Sequence, residues 1–428
     1  MPTPMRPRRR PSARRLPRVR TGLEVLARAR PRWQRGRGVG LLLHPASVTP
    51  SFVSARDVIR DLCGKGLRAL FGPQHGFAGE KQDNMIESAH AVDPDLDIPI
   101  YSLYSETRSP TRAMLDGIDL LLVDLQDVGT RVYTFEWTTA LALEACASTG
   151  RRLVVLDRPN PLGGATVEGN LIRPGYTSFV GLSPVPMRHA LTLGEFAALM
   201  NRRLAARAEQ GPGRPGPRGD GIGVCCPGLC ELSVVPMEGW RRPMLFPDTG
   251  LPWVLPSPNV PSFETALVYP GQVLLEGTNL SEGRGTTRPF EIFGAPYLDP
   301  RRVRKRFESR RLPGVALREH CFEPTFNKWA GRLCRGFQIQ ITDAAAFRPY
   351  ATTLALLQDI IAVHRDRFEW REPPYEYVTD RLPIDVLSGD PEVRDALESG
   401  GDLRALERSW RKEIAGFERE SAAVRLYR

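Results

Sequence analysis

The sequence predicts an α/β protein: a Rossmann-like parallel sheet in an N-terminal domain, followed by a smaller α+β domain. Three observations carry this. Short apolar runs, such as residues 118–123, suit strands buried on both faces and alternate with helix-like segments through residue 164. From Pro243 the texture changes to a long run dense in proline, glycine and aromatic residues, which regular structure cannot fill. Beyond it, Phe337 to Asp343 alternates like a half-buried strand and is followed by helical patterns.

Taken in order, residues 38–49 read as a first buried strand ending at His44, and Ala55 to Cys63 as a helix stopped by Gly64. A second strand from Leu67 runs into a loop holding Gln74, His75, Glu80 and Asp83, and Ile98 to Tyr104 is a third. Thr111 to Asp116 reads as a short helix. The fourth strand, 118–123, ends at Asp124 and Asp127, with Arg131 and Tyr133 just before a helix over Trp137 to Cys146. Arg151 to Gly164 supplies a fifth strand, ending at Asp157. Thr192 and Glu195 form a capping box for a helix over Ala190 to Glu209. Residues 211–221 read as a linker, Thr352 to His364 as a helix, and Pro391 to Glu418 as two more. The expected division is a disordered arginine-rich tail at 1–36, a Rossmann-like catalytic domain at 37–245 and an α+β domain at 246–428.

The net charge of +10 is a property of the tail. Residues 1–37 hold thirteen arginines and one acid, Glu24, so the rest of the chain is close to −2. A nucleic-acid-binding body would carry its basic patch on the fold, so no nucleic-acid partner is expected. No apolar run long enough to span a membrane is present, and no signal-like apolar stretch follows the arginines. The expectation is therefore a cytoplasmic protein, or a periplasmic or secreted one if the start site is mis-assigned. Seven scattered cysteines fit a reducing compartment.

Carboxyl ends of parallel strands share one edge, where open α/β sheets bind ligands. His44, Gln74, His75, Glu80, Tyr104, Asp124, Asp127, Arg131 and Asp157 all fall just past strand ends, so a crevice there is expected. Gly36, Gly38 and Gly40 precede the first strand rather than follow it, so there is no dinucleotide fingerprint; nor is there a P-loop, a GxSxG elbow or an HExxH pair. No cofactor and no metal are expected. The remaining inventory of carboxylates, amides, hydroxyls and aromatic rings suits carbohydrate. Glycosidic cleavage needs two carboxyl groups, one protonated and one ionised. Candidates are Glu80, Glu87, Asp124, Asp127, Glu136, Glu276 and Glu282. The glycines of residues 277–287 and Arg284 also suit close approach of an anion.

Several strings then acquire a common meaning: HPASVT (44–49), LFGPQHGFAGE (70–80), LVDLQDVGTRVYTFEW (122–137), LDRPNPLGG (156–164), SPNVPSFETALVYPG (257–271), EGTNLSEGRGTTRPFE (276–291) and FRPY (347–350). In this order they resemble the NamZ-type exo-β-N-acetylmuramidases, glycoside hydrolase family 171, over residues 38–390. The resemblance implies release of N-acetylmuramic acid from the non-reducing end of peptidoglycan fragments in cell-wall turnover. It also implies a cleft between a Rossmann-like domain and a smaller C-terminal domain, and a catalytic Glu and Asp. The Asp corresponds to Asp124 or Asp127. The family's PEHG form of the histidine motif is here Pro73-Gln74-His75-Gly76, and glutamine cannot be a general acid, which leaves Glu80 or Glu276 for the Glu. Gln74, His75, Tyr133, Asn160, Asn170, Asn259, Asn279 and Glu282 are expected sugar ligands. Arg131 or Arg284 is expected to bind the lactyl carboxylate. The competing expectation, kept open by Gln74, is a muropeptide-binding protein of the same fold that does not cleave.

Overall fold

The protein is represented by a computed structural model that describes residues 18–30, 37–83, 85–208, 224–226 and 228–428. The expected linker at 211–221 and most of the arginine-rich tail lie outside the described residues. Within the tail, however, Gly22–Ala29 form a helix, α1, closed by a capping box between Thr21 and Glu24. Leu23 and Leu26 are buried against the sheet, so the expected tail contains a structural element that its arginine content concealed.

The strands of the large sheet are β1 (Val39–Leu43), β2 (Leu67–Gly72), β3 (Ala91–Asp93), β4 (Ile98–Ser102), β5 (Leu120–Asp124), β6 (Arg152–Leu156), β7 (Val224–Cys226) and β8 (Glu231–Val235). Their spatial order is β3-β4-β2-β1-β5-β6-β8-β7. The inner neighbours are all parallel, while β3 and β7 add antiparallel edges. Without those edges the order is the doubly wound one, reversing direction between β1 and β5. Every residue of β1, β5 and β6 is buried, as unbroken apolar strands in a sheet covered on both faces must be.

Helices cover that sheet where the caps predict them. In α2 (Ala55–Cys63), Ser54 accepts the Arg56 N–H. In α3 (Phe135–Thr149), Gly150 adopts a left-handed terminus. In α4 (Leu193–Arg207), the Thr192–Glu195 box closes as expected. Residues 112–117 form turns rather than the expected helix. The segment is too short to repay nucleation, and the Thr111 hydroxyl accepts the Met114 N–H in a local turn.

The C-terminal half contains α5 (Phe263–Gln272), β9 (Ile292–Ala295), α6 (Pro300–Ser309), β10 (Val315–Phe322), β11 (Cys334–Ile341), α7 (Pro349–Val363), α8 (Pro383–Ser388), α9 (Pro391–Ser399) and α10 (Leu403–Ala422). Its antiparallel sheet has the order β10-β11-β9. The helix α5 forms inside the stretch that reads as irregular. Ser262 caps it, most of its residues are buried, and Gly271 lets it meet α7 so closely that an added Cβ would lie 2.0 Å from the Pro349 carbonyl oxygen.

The halves share a core in which Tyr133 and Phe135 join Tyr269, Phe290 and Ile384. A buried guanidinium reinforces it. Arg131 donates to the carbonyls of Asn170 and Val185 through Nη1, at 2.7 and 3.0 Å, and to those of Leu387 and Ser388 through Nη2, at 3.0 and 2.6 Å. The latter two are carbonyls of the last turn of α8, where a helix leaves acceptors unmet. The chain end also returns to the first half: the Leu426 N–H and the Tyr427 hydroxyl donate to Glu195 and Asp157. Arg131→Met strands these acceptors and is expected to lower the unfolding free energy by at least about 3 kcal/mol, measured by denaturant titration; an unchanged midpoint would contradict the clamp.

Candidate active site

At the point where strand order reverses, the chain satisfies itself. Past the end of β1, His44 Nε2 accepts the Gln126 N–H at 2.9 Å and its Nδ1 lies 3.2 Å from the Pro256 carbonyl oxygen. Burial lowers this imidazole to about 3, so it is neutral. Asp124 at the end of β5 is fully buried and receives Arg158 in a bidentate pair at 2.5 and 2.8 Å. Asp157 accepts from the Gly194 N–H and the Thr192 and Tyr427 hydroxyls. Asp124 therefore joins strand ends together and is withdrawn as a catalytic candidate.

Asp127 lies in a different setting. Its Oδ2 accepts the Gly129 N–H at 2.6 Å, and it shares a buried cluster with Glu136 and His189. His189 Nε2 is 2.9 Å from Glu136 Oε2 and 3.9 Å from Asp127 Oδ2. Burial first, then the Glu136 charge, pushes the Asp127 carboxyl up to about 7; burial raises Glu136 well above the usual carboxylate range. The three groups are close enough together to hold a metal ion, but the histidine argues otherwise. Its Nδ1 accepts the Leu191 N–H at 3.1 Å, so the neutral ring carries its proton on Nε2, where a metal would need a lone pair. The cluster is better suited to holding protons.

A narrow cleft lies between the halves. The first half contributes Gln74, His75 and the wall from Val132 to Phe135; the second contributes Ser257, Asn259, Tyr269, Glu276, Arg284, Phe290, Tyr375 and Glu376. The loop carrying Gln74 is tied across it, since the Gln82 carbonyl accepts from Asn259 Nδ2 at 2.6 Å and Arg284 Nη1 at 3.1 Å. His75 has φ 77° and its Nδ1 sits 2.8 Å from the Lys81 carbonyl oxygen; burial lowers its pKa to about 4. The two acids of the cleft differ. Glu276 Oε1 accepts from Arg284 at 2.8 Å and Oε2 from the Tyr375 hydroxyl at 2.6 Å. Glu376 Oε2 accepts from the Tyr104 hydroxyl at 3.1 Å, and burial together with the Glu276 charge pushes it up to about 7.

The cleft thus gathers Gln74, His75, Tyr133, Asn259, Glu276 and Arg284, and leaves other expected residues elsewhere. Glu80 is exposed, its carboxylate lying over Gly76. Glu282 is paired with Lys328 at 2.7 Å and Arg284 at 3.3 Å. Arg131 is spent on carbonyls. Asn160, Asn170 and Asn279 bond the chain itself: Asn160 joins Leu191 to Leu162, Asn170 joins Ser388 to Tyr350, and Asn279 joins Arg367 to Tyr297. In the 277–287 loop, an added Cβ at Gly283 would meet the Ile292 carbonyl oxygen at 2.6 Å, and one at Gly285 the Phe326 backbone at 2.7 Å. These glycines serve close packing rather than an open anion cradle. The expected readings of these residues are corrected accordingly. Glu376 escaped the sequence reading; its only signal was a lone acid between two tyrosines.

A doubly wound domain and a smaller domain that together enclose an aromatic cleft with two unlike carboxyls and one guanidinium define a carbohydrate-hydrolase type of site. The family model "Exo-beta-N-acetylmuramidase NamZ, N-terminal" matches residues 39–264, and its C-terminal companion matches 267–427. The chain belongs to the NamZ exo-β-N-acetylmuramidase family. It is 38% identical over 411 residues to the peptidoglycan β-N-acetylmuramidase NamZ of Bacillus subtilis (strain 168), covering 96% of this chain and 92% of that one. A DUF1343 family crystal structure from Bacteroides fragilis NCTC 9343 superposes with TM-score 0.80 at 31% identity, covering 96% of this chain and 99% of that one. A second from the same organism gives TM-score 0.69 at 24% identity, with the same coverage.

Two predictions separate the aspartates. Asp124→Asn breaks a buried ion pair and is expected to cost about 3–5 kcal/mol in denaturant titration. For Asp127, a folded-state pKa raised to about 7 gives stability that is full below about pH 4 and lost as pH rises through 7. Asp127→Asn removes that component, so its unfolding free energy should fall less steeply than wild type between pH 5 and 8; parallel profiles would show that Asp127 does not titrate there.

Proposed function

We propose that the chain is an exo-acting glycoside hydrolase that releases N-acetylmuramic acid from the non-reducing end of peptidoglycan fragments. The observation that carries the reading is the cleft at the junction of the two family domains, with two carboxyls held in unlike environments. Cleavage of a glycosidic bond needs one proton-bearing and one ionised carboxyl. Glu276, faced by Arg284, is suited to the ionised role. The rings of Tyr133, Tyr269 and Phe290 offer apolar faces to a sugar, and His75, Asn259 and Ser257 add neutral polar groups. Arg284 is the cation on the cleft wall, and its place supports a role in holding the lactyl carboxylate.

The test is hydrolysis of 4-nitrophenyl N-acetyl-β-muramide by the purified protein, compared with the N-acetylglucosaminide that lacks the lactyl ether. Nitrophenol release from the muramide is expected to exceed that from the glucosaminide by about 100-fold or more in kcat/KM. Glu276→Gln is expected to lower kcat about 100-fold or more. Gln74, a neutral amide on the cleft wall, favours a second reading as a muropeptide-binding protein. Calorimetric binding of the muramide without nitrophenol release would select that reading.

A further inference from the structure

We infer that Glu376 is the general acid of this site, an assignment that rests on the glycosidase reading. The turn carrying Glu376 is built around it. Tyr375 and Val378 exchange backbone hydrogen bonds at 3.0 and 2.9 Å, which closes the turn, and Glu376 and Tyr377 both have positive φ, 44° and 66°. Two successive non-glycine residues in the left-handed region are costly, and such strain is retained where surrounding structure over-determines it, commonly at reactive sites. Here the Glu376 N–H is held by Met85 Sδ at 3.2 Å, and the side chain by the Tyr104 hydroxyl. Both anchors come from the first half, so the acid is positioned by the domain opposite its own.

The division of charge in the cleft follows from partners. Glu276 has the guanidinium of Arg284, which favours its anion. Glu376 is 4% exposed; burial and the Glu276 charge act on its carboxyl most strongly, and the Tyr104 hydroxyl, the Arg108 charge and the Gln74 side chain oppose them in that order. Gln74 has no proton to give to a leaving oxygen, and its own Oε1 is occupied by the Thr134 hydroxyl at 2.6 Å. Burial of Glu376 and the neighbouring Glu276 charge favour keeping a proton on the carboxyl beside it. In the reaction, Glu376 gives this proton to the glycosidic oxygen as the bond from that oxygen to the anomeric carbon breaks, its electron pair passing to the oxygen. Water supplies the hydroxyl that ends on the anomeric carbon, and the remaining proton restores the acid.

The experiment compares wild type and Glu376→Gln on two substrates, N-acetylmuramyl-β-1,4-N-acetylglucosamine and 2,4-dinitrophenyl N-acetyl-β-muramide. The first has an alcohol leaving group that needs protonation; the second does not. The variant is expected to lose about 1,000-fold in kcat on the disaccharide, whose kcat/KM profile should also lose its alkaline limb, and less than about 10-fold on the aryl glycoside. Equal losses on both substrates, or an undiminished rate on the disaccharide, overturn the assignment while leaving the glycosidase reading intact. A wild type that cleaves neither overturns both. Tyr104→Phe gives a separate reading. Removing a donor to the ionised form should move the alkaline limb to higher pH, and an unmoved limb counts against Glu376.

Discussion

The buried guanidinium of Arg131 is the constraint on which the cleft depends. It sits two residues before Tyr133 and bonds carbonyls of the first half on one side and the last turn of α8 on the other. A charged group this deep persists only when its donors are met. The carbonyl pattern therefore holds the wall from Val132 to Phe135 at one distance from the segment that leads through Tyr375 and Glu376 into α8. Tyr133 and Phe135 of that wall join Tyr269 and Phe290 in the shared core, so the cleft lining is continuous with the contact between the halves. The cleft is thus a gap left between two surfaces already fixed to each other.

Within that gap, reactivity comes from unequal pairing rather than from unusual residues. Glu276 and Glu376 are chemically identical side chains in one cavity. One meets Arg284 and the Tyr375 hydroxyl; the other meets neutral groups and feels the first one's charge. Two carboxyls near each other cannot both ionise cheaply, and burial together with the Glu276 charge pushes the Glu376 carboxyl up. Asp127 and Glu136, gathered with His189 in a separate buried cluster, are by contrast both raised by burial.

Much of the fold was legible because its signals are local. The capping box at Thr192 and Glu195 and the buried strands β1, β5 and β6 lie where residue pattern puts them. The helix α5 was hidden by Pro270 and Gly271, residues that usually end helices and here allow close packing on α7. The site was legible in part: Gln74, His75, Tyr133, Asn259, Glu276 and Arg284 line one cleft. The amides of Asn160, Asn170 and Asn279 were misread because a polar residue in a loop has the same appearance whether it meets a sugar or a carbonyl.

By itself, the sequence determined the doubly wound sheet, the aspartates at its strand ends and the family to which its strings belong. These depend on hydrophobic period, caps and ordered motifs, which are properties of neighbouring residues. Only the tertiary structure decided that Asp124 is consumed by Arg158, that Arg131 is a clamp, and that Glu376 stands beside Gln74. Each of those facts turns on a partner brought from a distant part of the chain, and the state of a carboxyl is set by what it is buried against.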